Sequence, residues 1–151
     1  MQARCILRID LRDPLELKEA LPLRTPYVIH IDPCDTCNFH CKFCPSGNLE
    51  LMKKTNGRGH GPIDFNTYCG IIDSLKEFPD PVRVIRLYKE GEPLLHPRFA
   101  ELVSYAKASP KVQRVDTTTN ASLLTKDRSL AIIEAGLNRI NISVEGINAE
   151  Q

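Results

Sequence analysis

Four β-rich runs recur along this chain, with helical patterns between them, at roughly the ~30-residue period of a βαβ unit. They are Tyr27-Val-Ile-His-Ile31, Val82-Arg-Val-Ile-Arg-Leu87, Val112 to Thr118, and Arg139-Ile-Asn-Ile-Ser-Val144. Asp64 reads as the N-cap of a helix with Tyr68, Ile71, Ile72, Leu75 and Phe78 on one face, stopped by Pro79 and Pro81. His96-Pro97 opens a second helix, Pro97 at its first position and Phe99, Leu102, Val103 and Ala106 as its buried stripe, with Pro110 just past its end. Thr125 caps a third helix through Leu130 and Ile133, and Gly136 ends it. Such an order dictates an α/β fold of parallel strands with helices outside. In sheets of this kind, chemistry sits at the carboxyl ends of the strands.

The remaining segments frame that unit. Residues 1–26, with Pro14, Pro22 and Pro26, read as a lead-in arm, and residues 27–151 as the domain proper. Asn48 to Pro62, carrying Gly57, Gly59 and Gly61, reads as a long flexible connection. A length of 151 residues and 42% hydrophobic content suffice for one real core. The net charge of +1 gives no sign of nucleic-acid or membrane attraction. No apolar run approaches the ~20 residues of a membrane span. The N-terminus lacks a secretory hydrophobic core, so the expected compartment is the cytoplasm.

Six cysteines without a signal peptide argue against a disulfide scaffold, and four of them crowd between Cys34 and Cys44. Cys37, Cys41 and Cys44 are spaced C-x-x-x-C-x-x-C. Three thiolates so placed can hold three corners of a 4Fe-4S cube and leave the fourth iron open. Two other readings compete. Cys34-x-x-Cys37 and Cys41-x-x-Cys44 look like zinc knuckles, although zinc ribbons separate their pairs by roughly 12–20 residues. Cys34 to Cys44 followed by Pro45 also resembles the cysteine run of small ferredoxin-like electron carriers. Cys34 is read as a bystander, because a fourth thiolate would close the cube. Cys69 falls in a helical pattern and reads as a small buried apolar residue, and Cys5 is given no role.

With Phe43 just before its last cysteine, the loop resembles the signature of the radical S-adenosylmethionine (radical SAM) enzymes. The resemblance spans about Thr25 to Gly146 and is nearest in character to the molybdenum-cofactor-biosynthesis and peptide-modifying branch. Glu90-Gly91-Glu92-Pro93-Leu-Leu-His-Pro97 resembles that family's Gly-Gly-Glu-Pro segment, with Glu90 in place of the first glycine. Thr118-Thr119-Asn120 resembles its Thr-Thr-Asn-Gly, with Ala121 in place of glycine, and Ser143-Val-Glu145-Gly146 its Ser-Leu-Asp-Gly. By resemblance, Gly91 and Glu92 meet the amino group of S-adenosylmethionine, Asn120 and Ser143 its ribose or carboxylate, and Phe43 belongs to the same cofactor site. Short hydroxyl and amide side chains suit such hydroxyl-rich ligands, although Asn and Ser also favour ordinary turns.

The resemblance implies a partial (βα) barrel, of which about four of the usual six βα units are present. This leads to the expectation of a catalytically incomplete piece. It implies a 4Fe-4S cluster and S-adenosylmethionine as cofactors, reductive cleavage to methionine and a 5′-deoxyadenosyl radical, and abstraction of a substrate hydrogen. It also implies oxygen sensitivity, a reductase or flavodoxin-like electron donor, and a small-molecule or peptide substrate. His40 is expected to face outward and His96 to be structural, while Lys53, Lys54 and Arg58 read as a solvated loop.

Overall fold

In the computed structural model, residues 21–54 and 60–144 are described. Four strands, β1 (Val28–His30), β2 (Val82–Arg86), β3 (Val112–Thr119) and β4 (Arg139–Ile142), form one sheet in the order β1-β2-β3-β4. Every neighbouring pair is parallel. Four α-helices accompany them: α1 (Leu49–Lys54), α2 (Phe65–Ser74), α3 (Phe99–Ala108) and α4 (Lys126–Glu134). This is the expected α/β arrangement, and the barrel is not closed among the described residues.

The period-two alternation of each strand sorts its residues between two faces. On one face Ile85, Leu87 and Val115 are fully buried and join Tyr68 and Ile72 of α2, Leu102, Val103 and Ala106 of α3, and Ile132 of α4 in a single cluster. Consecutive parallel strands joined by right-handed crossovers place all their helices on one side, so one core serves all three helices. No described helix contributes a core to the other face. Across it the ladder registers set four residues in one row: His30 beside Arg86, Arg86 beside Asp116, and Asp116 beside Arg139.

Helix ends follow local chemistry. Asp64 caps α2 by accepting from the Thr67 amide at 2.9 Å, which holds its carboxyl below the usual range. Thr125 caps α4 through the Arg128 amide, and Gly136, at φ +86°, follows its end. Tyr68 is sealed in the core, its hydroxyl donating to the Leu102 carbonyl at 3.0 Å, and burial raises its pKa.

The structure corrects three expectations. The segment read as a wholly flexible connection contains α1, started by Asn48, whose side chain accepts from the Leu51 amide. Helix α3 begins at Phe99, not at Pro97, because Pro93–Leu95 already forms a 3-10 turn that His96 closes and Arg98 then takes the N-cap position. Helix α4, capped by Thr125 as expected, turns Ile132 inward and leaves Leu130 and Ile133 exposed. Beyond β4 no further described strand covers those two. Cys69 is partly exposed, since its position on α2 lies at the edge of the buried stripe. Cys5, Arg58, Glu145 and most of the arm lie outside the described residues. The arm's described end is tied down by Thr25, whose hydroxyl accepts from the Asp80 amide.

Candidate cluster and cofactor site at the strand ends

The cysteine loop leaves β1 already fixed to its neighbours. The Ile31 amide donates to the Arg86 carbonyl at 3.0 Å, extending the ladder by one residue. Asp35 accepts from the amides of His60 at 3.0 Å and Gly61 at 2.7 Å, and the Ile63 amide donates to the Pro33 carbonyl. Cys34 is drawn into this seam: it is 1% exposed, bridges to Pro62, and pairs its thiol with the Thr36 hydroxyl at 3.2 Å. Cys37, Cys41 and Cys44 are all partly exposed. Cys44 turns back onto Cys41 through its amide, and a short 3-10 turn, Pro45–Gly47, closes the loop. Phe43 stands 72% exposed.

The loop rests on the turn after β2. Gly91 has φ +67°, and a Cβ there would drive into the carbonyl oxygens of Cys34 and Thr36, the latter at 2.6 Å. Glycine is therefore required twice, by the backbone conformation and by the close approach. Glu90, the departure from the resembled motif, keeps an ordinary φ. Its amide donates to Asp32 Oδ1 at 3.0 Å and its carboxylate accepts from the Ser46 hydroxyl at 3.1 Å, so it anchors the far end of the cysteine loop.

Glu92 is 2% exposed and joins three pieces of backbone. Its amide donates to the Thr36 carbonyl at 2.8 Å. Its carboxylate accepts from the Leu94 amide at 2.9 Å, the Thr119 hydroxyl at 2.6 Å and the Asn120 amide at 2.8 Å. Protein donors thus fill three of its roughly four lone-pair positions. Asn120 Nδ2 lies 3.9 Å from Cys37 Sγ and donates to Asn38 Oδ1 at 2.9 Å, while its Oδ1 accepts from Ser122. Ala121 sits at φ +61°, the left-handed conformation for which the resembled motif carries glycine. The Ser143 amide donates to the Thr119 carbonyl at 3.0 Å and so aligns the end of β4 with that of β3.

The structure thus brings Cys37, Glu92 and Asn120 into one hydrogen-bonded unit, with Gly91 packed beside it against the Cys34 and Thr36 carbonyls and Ser143 tied to its edge. Among the described residues, no three Cys, His, Asp or Glu side chains converge on a single-ion site. A cube asks for less convergence, because each thiolate takes a different iron. The donor chemistry fits such a group: three accessible thiols on one loop, with the fourth buried in a seam. Of the histidines, His40 is exposed. His96 is structural: its Nε2 meets the Ile63 carbonyl at 3.0 Å and its Nδ1 accepts from the Arg98 amide at 3.1 Å.

Residues 31–150 match the family model described as the Radical SAM superfamily. The chain belongs to the radical SAM superfamily. Its similar relatives include the GTP 3′,8-cyclase of Chlorobaculum tepidum, 34% identical over 129 residues, covering 85% of this chain and 36% of that protein. The probable GTP 3′,8-cyclase of Methanosarcina acetivorans is 30% identical over 141 residues, covering 90% of this chain and 40% of that one. The chain therefore spans a little over a third of the length of these relatives. Among solved structures, BtrN in complex with AdoMet and 2-DOIA superposes with a TM-score of 0.62 at 24% identity, covering 78% of this chain and 45% of that one, a likeness of fold. Radical SAM membership makes this an enzyme-family chain whose cofactors are a 4Fe-4S cluster and S-adenosylmethionine. No described helix is long and apolar enough to cross a membrane.

Sequence reasoning missed the charged row on the open face. Asp116 is 6% exposed, and its Oδ1 has no hydrogen-bond partner among the described residues; Arg114 Nη2 stands 3.6 Å away. Burial pushes the Asp116 carboxyl up, against the opposing pull of Arg114, Arg139 and Arg86. The signal was present in the alternation Arg114-Asp116-Thr118 and Arg139-Asn141-Ser143, where polar residues occupy every second position.

Proposed function

We propose that residues 27–151, behind an arm of residues 1–26, are the N-terminal part of a radical SAM core acting in the cytoplasm on a small-molecule or peptide substrate. In this reading Cys37, Cys41 and Cys44 hold three irons of a 4Fe-4S cluster and Cys34 holds none. Gly91 and Glu92 present the turn that receives the cofactor's amino group. Asn120 and Ser143 present donors and acceptors to its ribose or carboxylate, and Phe43 flanks the cluster. When bound, the reduced cluster and S-adenosylmethionine supply one-electron cleavage to methionine and a 5′-deoxyadenosyl radical that takes a substrate hydrogen. The protein's part is to chelate, to orient and to exclude water. A reductase or flavodoxin-like protein supplies the electron, and the activity is oxygen-sensitive. The relatives' names make GTP the first substrate to assay.

One observation carries this reading: the seam that withdraws Cys34 while leaving three cysteines of the loop partly exposed, Cys37 beside Asn120. Anaerobic reconstitution tests it. The chain takes up four irons with visible absorbance, the triple Cys37, Cys41 and Cys44→Ala variant does not, and Cys34→Ala retains the cluster. Stoichiometric zinc with no iron uptake would instead support a zinc module. Dithionite-reduced protein incubated with S-adenosylmethionine is then assayed for 5′-deoxyadenosine. An intact cluster that yields none, here and in a longer form of the protein, would favour an electron carrier.

A further inference from the structure

A closed ring of three side chains fastens the start of the cysteine loop to the turn after β3. Asn120 Nδ2 donates to Asn38 Oδ1 at 2.9 Å, Asn38 Nδ2 donates to Ser122 Oγ at 2.8 Å, and Ser122 Oγ donates to Asn120 Oδ1 at 2.7 Å. Asn38 lies between Cys37 and Cys41, and its two partners stand 82 and 84 positions away in sequence. Asn38 and Ser122 have no part in the cofactor contacts assigned to this site.

One backbone group sets the direction of every bond in the ring. The Ser122 amide donates to Asn120 Oδ1 at 2.9 Å, and a main-chain N–H can only donate. That contact decides which end of the Asn120 carboxamide is oxygen, and so turns its Nδ2 toward the loop. Asn38 then meets this Nδ2 with its own oxygen, which sends the Asn38 Nδ2 to Ser122 Oγ and leaves the Ser122 hydrogen for Asn120. The Ser122 contact is an Asx turn, and Ala121, left-handed at φ +61°, brings residue 122 back onto 120. Below it, the Asn120 amide is fastened to Glu92 Oε2 at 2.8 Å.

Held in this way, Asn120 Nδ2 lies 3.9 Å from Cys37 Sγ, with its second hydrogen left for that sulfur. The same sulfur accepts from the Phe39 amide at 3.4 Å. Both hydrogens and both oxygen lone pairs of the Asn120 side chain are thereby engaged, so contact with the cofactor falls to its main chain. Hydrogen bonds to the sulfurs are a lever on the reduction potential of an iron–sulfur cluster, because they stabilise the more negative, reduced state.

We propose that Asn38 and Ser122 are positioning residues: they aim the Asn120 carboxamide at the Cys37 sulfur, and that N–H···S bond makes the bound cluster easier to reduce. The inference rests on the reading in which Cys37 holds iron.

Anaerobic redox titration of the reconstituted chain with dithionite, followed by visible absorbance and electron paramagnetic resonance, tests the assignment, with iron counted in every sample. At a fixed solution potential, Asn120→Ala lowers the ratio of reduced to oxidised cluster about fivefold. Asn38→Ala and Ser122→Ala each lower it about twofold while keeping the parent's iron content. Ser122→Thr, which retains the hydroxyl, holds the parent ratio. Parent ratios in Asn38→Ala and Ser122→Ala samples with full iron overturn the proposal, as does a Ser122→Thr ratio no higher than that of Ser122→Ala. Iron loss in those two alanine variants assigns the ring to loop anchoring alone and overturns it as well. A parent chain that takes up no iron overturns the radical SAM reading and this proposal with it, whereas unmoved ratios in an intact cluster overturn this proposal only.

Discussion

The two faces of one sheet are built from neighbouring residues of the same strands, yet they do opposite work. On the helix-covered face, Ile85, Leu87 and Val115 are fully buried against three helices, and the hydroxyls buried with them, those of Tyr68 and Thr117, donate to the Leu102 and Leu87 carbonyls. On the open face, one residue along, Arg86 and Asp116 set charge beside charge with an acceptor left over. The first face follows the rule that buried surface is apolar or has its polar groups hydrogen-bonded. The second departs from it at Asp116 and is destabilised by the departure. The difference separates the face that holds this fold together from the face that loads it with charge.

Truncation on the covered face has the largest effect. Ile85→Ala should cost about 2–5 kcal/mol in urea unfolding, because it opens a cavity in the shared core. Gly91→Ala comes next, at about 1–3 kcal/mol, since a Cβ at φ +67° also meets the Cys34 and Thr36 carbonyls. Its signature is more specific than its size: iron uptake on reconstitution should fall along with stability.

The open face should respond with the opposite sign. Burial raises the Asp116 pKa above its ordinary 3.8, so the folded chain holds that proton more tightly than the unfolded chain. Stability therefore declines as pH rises from 3.8 through the folded-state value, and is level above it. Asp116→Asn should abolish this decline and raise stability at neutral pH by about 1 kcal/mol or less, read as a higher urea midpoint. A lower midpoint would place Asp116 with the structural face. The smallest effect belongs to Ala121→Gly, which releases a left-handed strain and gains about 0.5 kcal/mol after glycine's own entropic cost.

Most of the covered face was legible in the sequence. The apolar stripes of α2 and α3 at helical spacing, the Asp64 and Thr125 caps and the parallel order all follow from local pattern. Misreadings arose where a neighbour rather than a pattern decides. The start of α3 shifts from Pro97 to Phe99 because a 3-10 turn has already used the preceding residues. At the site, the cysteine spacing and Gly91 could be read directly. The tie between Glu92 and Asn120 could not, because it joins residues 28 positions apart through side-chain geometry. The charged row stayed hidden for a related reason: it exists only once the strand registers are known.

The Glu92 tie has a consequence for how the site opens. One buried side chain fastens the amides of Leu94 and Asn120, while its own amide is fastened to the cysteine loop. None of these three amides can reach solvent without disturbing the others. In deuterium-exchange measurements they should behave as one cooperative unit, with a common protection factor and a common response to denaturant, although they come from two separate stretches of chain. On the proposed reading, in which this loop receives iron, there is no loose hinge on this side, and the motion admitting the metal falls to the 37–44 arc alone.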